Sequence, residues 1–235
     1  MPGLVEVILR FIATVLAAYL VGAIPNGVLV GKLFGDVDVR AFGSGKTGAT
    51  NVLRTLGPGA AALVVVGDIA KGAIAVLLAR YLFFGTLVPF PMHAGVSHTT
   101  LDLCRPWAEA LAALAAVLGH TYSVYIKFTG GRGVLTGAGA LVVISPLATL
   151  IGLIAGIVPI ALTRYVSLGS ILGAAVVPLV QLVLVVSGRA PLPSLLYALL
   201  GAVYIIALHR DNIERLLHGT ERKLGERAAS QMPPA

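Results

Sequence analysis

The chain has 235 residues, of which 57% are hydrophobic and only 11% charged, with a mean hydropathy of +0.95. Soluble domains carry about a quarter charged residues, so a soluble domain is excluded and an all-α integral membrane protein is expected. The net charge of +7 sits mostly in short loops between apolar runs, which points to membrane topology rather than to a nucleic-acid partner.

A helix crossing the hydrocarbon core needs ~20 apolar residues. The first such run covers about 8–30. It is too long for a signal peptide, Glu6 and Arg10 interrupt its start, and Pro25 and Gly27 should kink its far end. The second covers about 60–84. Residues 85–106, with Pro89, Pro91, His93, His98, Asp102 and Pro106, read as an exposed loop, and Cys104 within it can form no intrachain disulfide. The third run covers 107–126. The stretch 134–162 is too long for one span and contains Ser145-Pro146, so it divides into a short fourth helix, about 134–144, and a fifth, about 147–163. The sixth covers 168–186 and the seventh 192–208. Residues 1–225 make a single polytopic domain, with a basic, at first amphipathic tail that is expected to be disordered over 226–235.

Seven spans put the loops at 31–57, 127–133 and 164–167 on one side with the tail. That side holds Lys32, Arg40, Lys46, Arg54, Lys127, Arg132, Arg164, Arg210, Arg215, Arg222, Lys223 and Arg227; the other holds Arg80, Arg105 and Arg189, with Arg10 near the start. The positive-inside rule then places the N-terminus outside and the C-terminus in the cytoplasm.

Three polar stretches share the basic side. Gly43-Ser44-Gly45-Lys46-Thr47-Gly48-Ala49-Thr50-Asn51, closed by Arg54, combines glycines that free backbone N–H groups with hydroxyls and two cations, the chemistry of an oxyanion cradle. It is not a nucleotide P-loop, because Arg40 stands where that motif needs glycine and no strand precedes it. Gly130-Gly131-Arg132-Gly133 offers a second anion site with a guanidinium fork. His209-Arg210-Asp211-Asn212 ends the last span, where His209 and Asn212 lie one turn apart and suit the handling of a hydroxyl. Asp68 and Lys71, at i and i+3 inside the second span, are expected to pair. His120, Tyr122 and Tyr125 fit interfacial anchors as well as site residues.

Together these stretches resemble the bacterial acyl-phosphate:glycerol-3-phosphate acyltransferase family, membrane enzymes of phospholipid synthesis. The family's GSGN-x-GATN loop, F-K-G-G-K-G-V-A-T loop and H-R-x-N-I-x-R-L-x-x-G-x-E tail stand here as GSGKTGATNVLR (43–54), FTGGRGVLT (128–136) and HRDNIERLLHGTE (209–221). Gly67-Asp68 with Lys71-Gly72, and Gly119-His120, also fit. The resemblance implies transfer of a fatty acyl group from acyl phosphate to glycerol 3-phosphate at the cytoplasmic face of the bacterial inner membrane. It implies no metal or cofactor, and it makes the soluble enzyme that produces acyl phosphate a candidate partner. On this reading Ser44, Arg132, His209 and Asn212 are catalytic, and Gly43, Gly45, Lys46, Asn51, Arg54, Gly130, Gly131 and Gly133 bind substrate. The family's asparagine is Lys46 here and its two lysines are Thr129 and Arg132, so Lys46 is expected to supply the charge missing at Thr129. A small transporter for a phosphorylated metabolite is the alternative, suited by Asp68, Lys71 and kinked helices.

Overall fold

The computed structural model describes residues 2–83 and 98–226, and among these the regular structure is entirely helical. The helices are α1 (Pro2–Gly22), α2 (Asn26–Leu33), α3 (Ala49–Leu56), α4 (Pro58–Leu82), α5 (His98–Thr121), α6 (Val134–Ile144), α7 (Pro146–Thr163), α8 (Val166–Val186), α9 (Leu192–Leu208) and α10 (Arg210–Leu217). Hydrocarbon offers no hydrogen bonds, so apolar runs become helices that satisfy their own backbone. Proline sets the breaks. Pro25 separates α1 from α2, and Pro146 takes the first position of α7, where its missing N–H costs nothing.

The expected seven spans are not all found by length and composition. Among the described residues four stretches qualify: Gly3–Leu33, Pro58–Leu82, Pro146–Thr163 and Val166–Val186. The pair Leu192–Leu208 and Arg210–Leu217, bent by 58°, makes up to five. The shortfall has physical causes. Asp102, Arg105 and Glu109 lie within α5, and α6 has only 11 residues, about 16 Å against a core of about 30 Å. The loop expected over 85–106 is also corrected, because helix already begins at His98 and residues 98–106 belong to α5. That helix ends at Thr121, and a separate 3₁₀ turn covers Val124–Ile126. Of the tail expected to be disordered, 227–235 lies outside the described residues.

The long elements alternate between two ends of the molecule. At one end Ser123 Oγ donates to the Ala23 carbonyl at 2.5 Å, and Arg132 Nε to that of Leu208 at 3.0 Å. At the other, Arg10 pairs with Glu6 at 2.7 Å and reaches the Leu82 carbonyl. There too Arg80 pairs with Glu109 at 2.9 Å and donates to the Val143 carbonyl at 2.7 Å. Arg80 thereby answers a terminal carbonyl of the short α6, where the helix dipole favours a cation. α4 and α6 meet backbone to backbone: a methyl group on Gly72 would overlap the Thr136 carbonyl, and one on Gly139 that of Ile69. The adjoining core of Val76, Ala110, Ala113, Ala140, Leu141, Ala148 and Tyr197 closes the middle of the bundle.

Gly72→Val should therefore force α4 and α6 apart and destabilise the fold by about 1–3 kcal/mol or more. Val66→Leu, at a position 66% exposed on the same helix, should change little. Unfolding midpoints of the two variants in one detergent check the contrast.

Candidate active site

The three polar stretches meet around one cavity of about 880 Å³. Of the residues picked from sequence, Gly43, Ser44, Lys46, Asn51, Arg54, Gly131, Arg132, Gly133, His209 and Asn212 all border it. Gly45 and Gly130 do not; Gly45 sits in the turn at φ +67°, and Gly130 rests on the His120 carbonyl.

The first stretch is held in shape by Asn51. Its Nδ2 donates to the carbonyls of Val39, Lys46 and Phe42 at 2.8, 2.9 and 3.1 Å, and its Oδ1 accepts from Ser44 N–H at 3.0 Å. The amide is thus committed to the loop. α3 starts within the stretch, and its first residues, Ala49 and Thr50, border the cavity, where unsatisfied helix N–H groups favour anions.

Arg54 and Arg132 approach from two sides. Each is tethered through a carbonyl: Arg54 Nη2 to Arg222 at 3.0 Å, Arg132 Nε to Leu208 at 3.0 Å. Among the described residues neither makes an ion pair with a carboxylate, and Arg54 Nε is buried with no partner. Burial pushes both guanidinium groups below their usual pKa, and the cations Arg222 beside Arg54 and Arg215 beside Arg132 push the same way, against the opposing charges of Glu221 on both, Glu226 on Arg54 and Asp211 on Arg132. The pair therefore forms a positive centre to which no carboxylate is bonded among the described residues, and which an anion would relieve.

His209 closes α9 and leads into α10. Its Nδ1 lies 2.7 Å from the Ile205 carbonyl, which requires the proton on Nδ1 and leaves Nε2 as an acceptor. Burial pushes the imidazole down to about 4; the Ile205 carbonyl opposes the shift and Arg132 reinforces it. Asn212 Nδ2 donates to Glu221 Oε1 at 2.7 Å, while its Oδ1 is buried with no donor. Glu221 also accepts from Ser167 Oγ at 2.8 Å and Arg215 Nε at 2.7 Å. Burial raises its pKa, but these three donors outweigh burial and hold the carboxyl below its usual value.

Beyond this polar mouth the cavity continues as an apolar slot between α4, α6, α7, α8 and α9. It reaches Thr149 on α7, Val177 on α8 and Tyr197 on α9. Counted from Ile160, Val166 and His209, the helical rise makes it about 16 to 18 Å deep. Its far end is closed by the core around Leu141 and Tyr197. One flank is open: Leu153 and Ile157 border the slot and are exposed, next to Leu150, Ile154 and Val158 of the same helix, which are exposed without bordering it.

The sequence model of glycerol-3-phosphate acyltransferases matches residues 12–219. The chain belongs to that family. It is 42% identical over 224 residues to the glycerol-3-phosphate acyltransferase of Nostoc sp. (strain PCC 7120 / SAG 25.82 / UTEX 2576), covering 93% of this chain and 94% of that protein. It is 44% identical over 218 residues to that of Thermus thermophilus, covering 93% and 97%. The fold is similar to two crystal structures of PlsY (YgiH), an integral membrane glycerol 3-phosphate acyltransferase, in its glycerol 3-phosphate and lysophosphatidic acid forms. The TM-scores are 0.75 and 0.74 at 36% identity, over 92% of this chain and 96% and 95% of those chains.

Within this member of the glycerol-3-phosphate acyltransferase family one expectation changes. Thr129 is not beside Lys46 in the cavity wall; its Oγ1 accepts from Arg40 Nη1 at 3.2 Å. The cation bonded at the position of the family's vanished lysine is therefore Arg40. Ser167, Arg215, Glu221 and Arg222 were not assigned from sequence, yet all border the cavity. Arg215 and Glu221 carried a signal, as the second arginine and the last residue of the tail motif. Asp68 pairs with Lys71 at 3.0 Å as expected.

The buried neutral His209 has a pH signature. Its value is about 4 in the folded protein and about 6.5 unfolded, so its contribution is fully present above pH 6.5. As pH falls from 6.5 to 4 the unfolded chain takes up the proton first, and about 3 kcal/mol of stability is lost. Unfolding midpoints measured across that range should fall more steeply for the wild type than for His209→Gln.

Proposed function

We propose that the protein transfers a fatty acyl group from acyl phosphate to glycerol 3-phosphate, giving 1-acylglycerol 3-phosphate and phosphate, the first acylation of phospholipid synthesis. The observation that carries this reading is the pairing, in one cavity, of Arg54 and Arg132, neither bonded to a carboxylate among the described residues, with an apolar slot. A phosphorylated head and an aliphatic tail are the two things such a cavity can hold together. Both substrates bring phosphate, and Lys46, Arg54, Arg132 and the start of α3 supply donors for it.

The buried, undonated Asn212 Oδ1 suits one glycerol hydroxyl, and the acceptor Nε2 of His209 suits the hydroxyl that reacts. That oxygen attacks the acyl carbonyl as its proton passes to His209 Nε2, and the phosphate leaves toward the arginines with the bonding electrons. Acyl phosphate is already activated, so alignment can supply several kcal/mol of the barrier reduction. A serine acyl-enzyme is disfavoured: Ser44 makes its bond through N–H to Asn51 and has no hydrogen-bonded base. The transporter alternative is disfavoured because, among the described residues, the cavity lining reaches no further than Leu141, Thr149, Val177 and Tyr197.

The proposed orientation puts the cavity mouth in the cytoplasm and the N-terminus outside, with seven crossings in which α5, α6 and α9 join the four long apolar stretches. The Lys/Arg asymmetry and the alternation of helix ends support it.

The purified protein with acyl phosphate and glycerol 3-phosphate should release phosphate and lysophosphatidate, and should be inactive with acyl-CoA; equal rates with both donors would overturn the assigned donor. Arg54→Gln should lower kcat/KM by about 10- to 200-fold, the loss of a charged hydrogen bond of about 1.5–3 kcal/mol.

Orientation is checked in a variant without Cys104. Cysteines at Ser44 and Asp211 should react only with cytoplasmic reagent, and one at Arg189 only with external reagent. External labelling at Asp211 would overturn the topology.

A further inference from the structure

Beneath the second glycine loop lies a polar cluster that the chemistry above leaves unused. Asp68 and Lys71 are 2% and 4% exposed in the body of α4. Asp68 Oδ1 is met by Lys71 Nζ and Asn26 Nδ2, each at 3.0 Å, and His120 Nδ1 lies 3.7 Å away. Lys71 also donates to the Ile24 carbonyl at 2.9 Å. The cluster therefore ties the break after α1 to the middle of α4 and to the last turn of α5. Asp68 and His120 both border the cavity.

The loop lies directly on His120. Gly131 N–H donates to the His120 carbonyl at 3.3 Å. A methyl group on Gly130 would overlap that same oxygen, and one on Gly131 would overlap Nε2 of the ring. Arg132 follows immediately, with its Nε on the Leu208 carbonyl.

We infer that His120, oriented by Asp68, is a positioning residue that sets where Arg132 meets its phosphate. An apolar pair of equal volume would fill the same space without the expense of burying ions. What the ions add is direction: the carboxylate faces Nδ1, which turns Nε2 toward Gly131. This explains why the loop carries two consecutive glycines at the point where ring and carbonyl leave no room for a side chain. The inference rests on the acyl-transfer reading only for the identity of the phosphate that Arg132 holds.

The test is a double-mutant cycle across the contact in the full chain. Gly131→Ala should lower kcat/KM by about 100-fold, since an error near 1 Å in placement has that effect. His120→Ala should raise KM for a phosphate-bearing substrate without lowering the unfolding midpoint in proportion, and Asp68→Asn should move KM in the same direction. The double variant His120→Ala/Gly131→Ala has room for the added methyl and should recover at least about 10-fold over Gly131→Ala. Strictly additive losses would overturn the proposal, as would a His120→Ala that lowers kcat and midpoint while KM stays constant. The same cycle is read in calorimetric binding of glycerol 3-phosphate. A wild type that binds this ligand but transfers nothing would refute the acyl-transfer reading while leaving the positioning role to be decided by the binding cycle.

Discussion

Asp68 is a carboxylate placed inside an apolar helix, and much of the bundle is arranged to answer that charge. Water is not available at this depth, so the partners must come from the protein. Lys71 comes from the same helix, Asn26 from the chain just past the first break, and His120 from α5. Each partner draws its own element inward, and the loops that carry phosphate chemistry stand at the ends of those elements. The opposite end follows the same rule with Glu6–Arg10 and Arg80–Glu109. Removing one member of a buried pair typically destabilises by about 3–5 kcal/mol, because the other charge is left unanswered. These pairs therefore act as clamps.

At the mouth the cations behave differently. Arg54 and Arg132 each donate to a backbone carbonyl, of Arg222 and Leu208 respectively. A carbonyl holds a guanidinium in place without cancelling its charge, so the field is preserved for an incoming anion. Arg215 is the exception, spent on Glu221, and that pair organises Asn212 and Ser167. The site thus separates cations that shape it from cations left for substrate.

What could be read from the sequence tracks how local its cause is. The break at Ser145-Pro146 and the limits of α9 between Pro191 and His209 agree with the structure, because proline acts on its immediate neighbours. The start of α5 was hidden because His98, Asp102 and Pro106 look like loop residues until Arg105 is seen to pair along the helix with Asp102 and Glu109. The three polar stretches were recognisable by composition, and they do meet. The assignment of Asn51 to substrate binding could not anticipate that its amide is taken up by Val39, Phe42 and Lys46. Lys46 and Thr129 looked interchangeable because both sit in glycine loops. Which loop faces which is a tertiary fact, and it gives Thr129 to Arg40. The link from Ser167 to Glu221 joins positions too far apart in the chain for any motif to reveal.

The open flank of the slot beside Leu153 and Ile157 determines how an oily product escapes. Moving an alkyl tail through water would cost about 0.8 kcal/mol per methylene, so roughly 11 kcal/mol for about 14 of them. A tail that slides sideways from protein into lipid exchanges one apolar medium for another and meets no such barrier. Turnover then becomes a form of one-sided growth: water-soluble headgroups enter from one compartment, and each cycle adds surface to the leaflet facing it. The opposite leaflet must be supplied by some separate means, or the membrane will bend.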